Sequence, residues 1–207
     1  MPGDNPILRH WEAQRKLFRD NLFSLRDQMT VDEIHDLRVA IKKLRSYTKL
    51  HAALFNNKSN EQIPALRNLF GVLGKHRNMD IAQKLLISFS KKRKAVGEPL
   101  LVYLQLTQDQ ITPFCQQTVR AFTEEELDKF TNELNQDLEN PYSPDVAAGV
   151  RNLIASGITV VKQDMHHFKK RSHLIRKHLK DMFYWSHLFE EQIFFTKPEL
   201  KTLDKIL

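Results

Sequence analysis

From Ile34 to Lys49 two kinds of residue recur together at intervals of three and four, a pattern that only a helix keeps in register. Ile34, Leu37, Ile41, Leu44 and Thr48 make one stripe, and His35, Arg38, Lys42, Arg45 and Lys49 make a second about 100° around the axis. The first stripe is expected against a core, which puts the second at the shoulder of the buried face rather than out in open solvent. Like charges at such spacings cost roughly 0.2–0.5 kcal/mol per pair, and within the striped stretch only Asp36 offsets them. A helix selected for stability alone would interleave glutamates. An external anion is the simpler account.

Charge is segregated along the whole chain. No acid falls between Leu37 and Asn60, where Arg38, Lys42, Lys43, Arg45, Lys49 and Lys58 lie. Met165 to Lys180 is also free of acids and carries Lys169, Lys170, Arg171, Arg176, Lys177 and Lys180. Glu124, Glu125, Glu126, Asp128, Glu133, Asp137 and Glu139 gather between these stretches. The net charge of +7 would by itself suit nucleic acid, an anionic membrane or another polyanion. In the second basic stretch Lys169, His173, Arg176 and Lys180 form a stripe beside Ile175, Leu179 and Met182. Setting His35 against His173 pairs Arg38 with Arg176, Lys42 with Lys180 and Ile41 with Leu179, while Arg45 falls opposite Phe183. Such a repeat arises when two similar bundles pack about a pseudo-twofold axis.

The remaining signals are helical, and strand-like alternation is absent over any useful length. Asn5-Pro6 reads as a cap and first residue of a helix reaching about Gln28, and Thr30 with Glu33 as a capping box opening a helix over 31–55. Asn56 to Ser59 is a turn. A third helix is expected from about Glu61, interrupted at Gly71 and Gly74, and a fourth over 80–94. The next starts near Gly97 and Pro99 and runs to about Val119, with Pro113 as a kink. Thr123 with Glu126 reads as another capping box, opening an acidic helix to about Leu138. Pro141 to Pro144 forms a central break with Ser143-Pro144 as the next cap. One long helix or two consecutive ones then run to about Phe195, and Thr196-Lys197-Pro198 begins the last.

The single cysteine, Cys115, and an N-terminus unlike a signal peptide lead to the expectation of a reducing cytoplasm. No apolar run approaches the ~20 residues of a membrane span, so no membrane partner is expected. Glycine-rich phosphate loops, nucleophile elbows and paired carboxylates are not found. His166, His167, His173 and His178 suggest metal ligands, yet no cysteine or close glutamate pair completes a site, and no metal or other cofactor is expected. Lys91 to Lys94 read as a solvated helix end.

The sequence His35-Asp36-Leu37-Arg38-Val39-Ala40-Ile41-Lys42-Lys43-Leu44-Arg45 closely resembles the first signature of the CHAD family, the conserved histidine α-helical domain. Leu73-Gly74-Lys75-His76-Arg77-Asn78-Met79-Asp80 resembles its second, a Leu-Gly-x-x-Arg-Asp element, with Asn78 where aspartate is usual. His173-x-x-Arg176-x-x-x-Lys180-x-x-x-Tyr184 is similar to its third, with Phe183 where a basic residue is usual. The resemblance runs from about Asn5 over nearly the whole chain. The family's last helix normally continues to a further Leu-Gly-type element not found here, so the final helix is expected to be incomplete.

The resemblance implies one all-α domain over 1–207, with helical bundles over about 5–139 and 144–207 flanking a basic groove or pore that binds inorganic polyphosphate. On the first signature helix the binding residues would be His35, Arg38, Lys42, Lys43, Arg45 and Lys49. Lys75 and Arg77 would follow from the second element. Lys169, His173, Arg176, Lys177, Lys180 and the Tyr184 hydroxyl would follow from the third. Asp36 and Asp80 would orient neighbouring arginines by ion pairing. A polyphosphate binder needs rows of cations, with arginine forks matching phosphate oxygens, and no aromatics for stacking bases. Neither stripe carries an aromatic between its cations, which sets it apart from a single-strand nucleic-acid surface. The expectation is a non-enzymatic module, cytoplasmic and at home on polyphosphate granules. Nucleic-acid binding is the alternative, followed by a metal-dependent phosphohydrolase suggested by His35-Asp36.

Overall fold

The computed structural model describes residues 5–27, 29–57, 63–90, 98–139 and 145–188, and these form seven α-helices and no strand. They are α1 (Pro6–Asp27), α2 (Val31–Leu54), α3 (Pro64–Ser90), α4 (Glu98–Ala121), α5 (Glu125–Glu139), α6 (Val146–Met165) and α7 (Phe168–Ser186). Lys58, the Lys91–Lys94 cluster, the Pro141–Pro144 break and the helix expected from Thr196 lie outside the described residues.

The caps show why the helices begin where they do. The Asn5 side chain accepts from the Ile7 amide at 2.9 Å, and Pro6 has no N–H to satisfy. Thr30 and Glu33 form the expected reciprocal box: the Glu33 amide donates to Thr30 Oγ1 at 3.2 Å, and the Thr30 amide donates to Glu33 Oε2 at 3.1 Å. Three expectations need correction. α3 is one helix and passes through Gly71 and Gly74 without a break, absorbing the helix expected from Asp80. Glu126 does not close a box with Thr123; its Oε2 accepts from the Ala65 amide at 3.0 Å. The reason lies at the start of α3, where Ile63 has no side-chain acceptor and Ala65 carries the first amide needing one. α6 begins at Val146 with Asp145 as its cap, accepting from the Ala148 amide at 3.0 Å, two residues later than Ser143-Pro144 suggested. Beyond it the chain forms two helices, α6 and α7, joined at His166-His167.

Two compact units divide the chain. One comprises Gln14–Lys42 and Ile63–Leu127; the other comprises Met1–Ala13, Lys43–Gln62 and Asp128–Leu207. The boundary falls inside α2, between Lys42 and Lys43, so the basic stripe of that continuous helix contributes to both.

In the first unit α3 packs along α4. Its buried residues include Phe18, Leu22, Ile34, Leu37, Ile41, Leu66, Leu69, Leu73, Cys115 and Val119. Phe18 meets the edge of Phe122 with centroids 5.2 Å apart. Glu124, just ahead of α5, accepts from both Arg19 (2.8 and 2.7 Å) and Arg15 (3.0 Å) on α1. These bonds, Arg19's foremost, hold its carboxyl at about 2 against the opposing effect of burial.

In the second unit α6 packs along α7. Gly157 permits their close approach, since a Cβ there would stand 2.6 Å from Met182 Sδ. Trp11, Leu44, Tyr47, Leu50, Phe130, Leu134, Val150 and Ile175 are buried here. Trp11 donates to Thr131 Oγ1 at 2.8 Å and stacks at a tilt on Phe130, 4.6 Å between centroids. His51, also buried, lies against Phe55 and Phe130 and bonds Asp137 Oδ2 at 2.7 Å.

Candidate polyanion-binding surfaces

α2 places the two stripes as their spacing predicts. Ile34, Leu37, Ile41, Leu44 and Thr48 are each 0% exposed. His35 is exposed, and Arg38, Lys42, Arg45 and Lys49 are all half-buried along the shoulder, as is Lys43. At 1.5 Å per residue, His35 to Lys49 spans about 21 Å of helix.

The first unit holds the N-terminal part of this stripe and the second signature on α3. Arg38 Nη1 donates to the Phe70 carbonyl at 2.6 Å, and its guanidinium carbon lies 3.9 Å from the Phe70 ring centroid. Lys42 Nζ stands 6.0 Å from the same centroid. Gly74, one turn further along α3, faces the guanidinium: a Cβ there would lie 2.8 Å from Arg38 Nη1. Burial, and after it the charge of nearby Arg77, hold Arg38 below the ordinary guanidinium value. No carboxylate among the described residues pairs with Arg38. Arg77, half-buried, is held at 2.5 Å by Asp80, which also receives Lys84 at 3.3 Å. The expected orienting role of Asp80 thus has a geometric basis, whereas Asp36 is simply exposed. His76 is buried 3.5 Å from the Gln108 amide; burial pulls its pKa down against the attraction of Asp80. Lys75 is exposed and lines a shallow depression of about 400 Å³ on α3 with Pro64, Arg67, Asn68, Gly71 and Val72.

The second unit carries the rest. α7 bears six lysines and arginines against one acid, Asp181. Lys169, His173, Arg176 and Lys177 are exposed, and Lys180 and Tyr184 are half-buried. Lys49 of α2 forms an ion pair with Asp181 at 2.6 Å. The Trp185 indole donates to the Ser46 carbonyl at 3.0 Å, tying the same two helices. Tyr47 is buried, which raises its phenol well above the usual value, with nearby Tyr184 adding to the rise. At the α6–α7 junction Arg171 pairs with buried Asp164. Leu179, expected in the apolar stripe, is half-buried, while Ile175 and Met182 are buried.

Sequence reasoning missed Phe70, Gly74 in its packing role, and Asp181. The available signal was a glycine inside a helical period without any turn residue beside it. Among the described residues no three His, Cys, Asp or Glu side chains gather as a metal site. No helix among them is long and apolar enough to cross a membrane.

The described residues define an all-helical protein in which α7 and the striped part of α2 each carry a row of cations against a single acid. The family model described as the CHAD domain matches residues 7–203, nearly the whole chain, and the chain belongs to that family. No curated protein and no solved structure matches it.

Proposed function

We propose that this protein is a non-enzymatic binding module for inorganic polyphosphate. The observation that carries the reading is Arg38: a half-buried guanidinium held by a carbonyl and an aromatic ring, beside a second arginine, with no carboxylate of its own. Burying the Arg38 charge near that of Arg77 without a carboxylate of its own is costly, and a phosphate chain supplies an anion for it. Membership of the CHAD family supports the same ligand. Arg38 and Arg77 act as forks for phosphate oxygens. His35, Lys42, Lys43, Arg45 and Lys75 extend the cationic track, while Lys169, His173, Arg176, Lys177, Lys180 and Tyr184 offer a second one on α7. Lys49 contributes less because Asp181 engages it. The pairing of the two stripes about a pseudo-twofold axis with a shared groove belongs to this proposal, as does residence in the cytoplasm at polyphosphate granules.

Binding of long-chain polyphosphate to the full chain tests it, in competition with single-stranded RNA. Polyphosphate should displace RNA at far lower charge-equivalent concentration than the reverse. RNA winning that competition would overturn the reading in favour of nucleic-acid binding. Release of orthophosphate with Mg²⁺ or Mn²⁺ would overturn the non-enzymatic part. Affinity should fall steeply with salt, since an anion of this density releases counterions on binding.

A further inference from the structure

Arginine at the rim of a charged surface ordinarily samples many rotamers, and ordering it on binding lowers affinity. Arg38 does not have that freedom. One guanidinium nitrogen is bonded to the Phe70 carbonyl at 2.6 Å, and the guanidinium carbon lies over the Phe70 ring, 3.9 Å from its centroid. Its Cζ and both terminal nitrogens lie within 4 Å of where a Cβ on residue 74 would be, and the nearest would be at 2.8 Å. That is well inside the 3.5–4.0 Å of a good non-bonded contact. Carbonyl, ring and missing methyl all come from one stretch of α3, so the guanidinium has a fitted dock. Nε and Nη2 of Arg38 make no hydrogen bond to protein among the described residues.

We propose that Phe70 and Gly74 are positioning residues for the polyanion: they fix the Arg38 guanidinium on α3 and leave Nε and Nη2 to donate to phosphate oxygens. The proposal rests on the polyphosphate reading and adds to it how the arginine is pre-organised. Gly74 serves here as a vacancy, since α3 is helical throughout and needs no special backbone conformation at that position. The cost of that vacancy is borne by the helix, because glycine is a poorer helix former than alanine.

This opposition supplies the test. Gly74→Ala should keep the protein helical and its thermal midpoint equal or higher, because the displaced atoms are the tip of a flexible side chain. Its affinity for long-chain polyphosphate should nevertheless fall roughly three- to tenfold. Phe70→Leu should fall similarly, and Phe70→Tyr, which keeps the ring, should restore binding. In an Arg38→Ala background Gly74→Ala should cost nothing further, since both changes remove one interaction. Unchanged affinity in Gly74→Ala, or an equal loss with and without Arg38, would overturn the proposal. Wild-type protein that binds no polyphosphate would overturn the functional reading instead. The dock has its own readout in the guanidinium ¹⁵N–¹H spectrum of the unliganded protein: separate, slowly rotating Nη signals for Arg38 in the wild type, averaged in Gly74→Ala. Signals already averaged in the wild type would overturn the dock whatever the ligand.

Discussion

Arg38 and Lys49 occupy the same stripe of the same helix, with equivalent spacing and similar half-burial, yet their surroundings differ in kind. Arg38 is held by groups without charge, while Lys49 is neutralised by Asp181 at 2.6 Å. A stripe of cations is therefore not a row of equal binding sites. Each position's availability depends on what the neighbouring helix offers it, and α3 offers a carbonyl and a ring where α7 offers a carboxylate.

The largest effect expected from this difference is on Arg38. Arg38→Ala should weaken polyphosphate binding by roughly 1.5–3 kcal/mol, the range for a hydrogen bond to a charged group. Titration calorimetry of the purified variant, with circular dichroism as a folding control, measures it. A loss no greater than for Lys49→Ala would erase the contrast.

Acid should affect both halves of the molecule through stability. His51 and His76, one in each unit, have pKa values lowered from 6.5 chiefly by burial, against the pull of Asp137 and Asp80 respectively. The unfolded chain then binds more protons than the native one as pH falls below about 6.5. The stability these neutral histidines contribute is complete above that pH and declines toward each folded-state value. Thermal melts between pH 7.5 and 5 should show a falling midpoint, about 2–4 °C for each kcal/mol lost. His51→Gln or His76→Gln should flatten that fall, and a variant melting with the wild-type slope would absolve its histidine. Glu124 acts in a lower window, its contribution present above about 4.5 and lost as pH falls toward about 2.

Lys49→Ala should cost about 1 kcal/mol or less of folding stability, because the pair with Asp181 is partly exposed. Its effect on polyphosphate affinity should be smaller than that of Arg38→Ala. The smallest expected effect is the most diagnostic. Asp181→Asn releases Lys49 and should raise affinity roughly twofold, within the few tenths of a kcal/mol typical of a single exposed charge. A fall in affinity would show that Asp181 positions Lys49 for the ligand instead of competing with it.

The helical architecture was legible because the periods of α2 and α7 are long and the cap of α2 is local. Thr30 and Glu33 meet each other within one turn, and so their spacing alone identifies the box. Gly74 was misread because a glycine as helix breaker and a glycine as vacancy look alike in one dimension; only the Arg38 side chain of α2, lying against Gly74, separates them. Thr123 and Glu126 had the right spacing, but a more demanding amide at Ala65 claimed the carboxylate. The stripes identified the cations of the candidate surfaces. The pairing of Lys49 with Asp181, 132 residues apart, left no trace in local pattern.

The bond from Ala65 to Glu126 has a kinetic consequence. The first turn of α3 is completed by a residue 61 positions downstream, a loop whose closure must precede the bond. Early in folding α3 therefore has a frayed start, with its first free amide open to solvent until the beginning of α5 arrives. In the native protein that amide becomes a reporter of a remote event: its hydrogen exchanges when Glu126 leaves, whether or not the rest of α3 stays helical. Exchange at Ala65 thus times the arrival and departure of α5, although no part of α5 is near it in the chain.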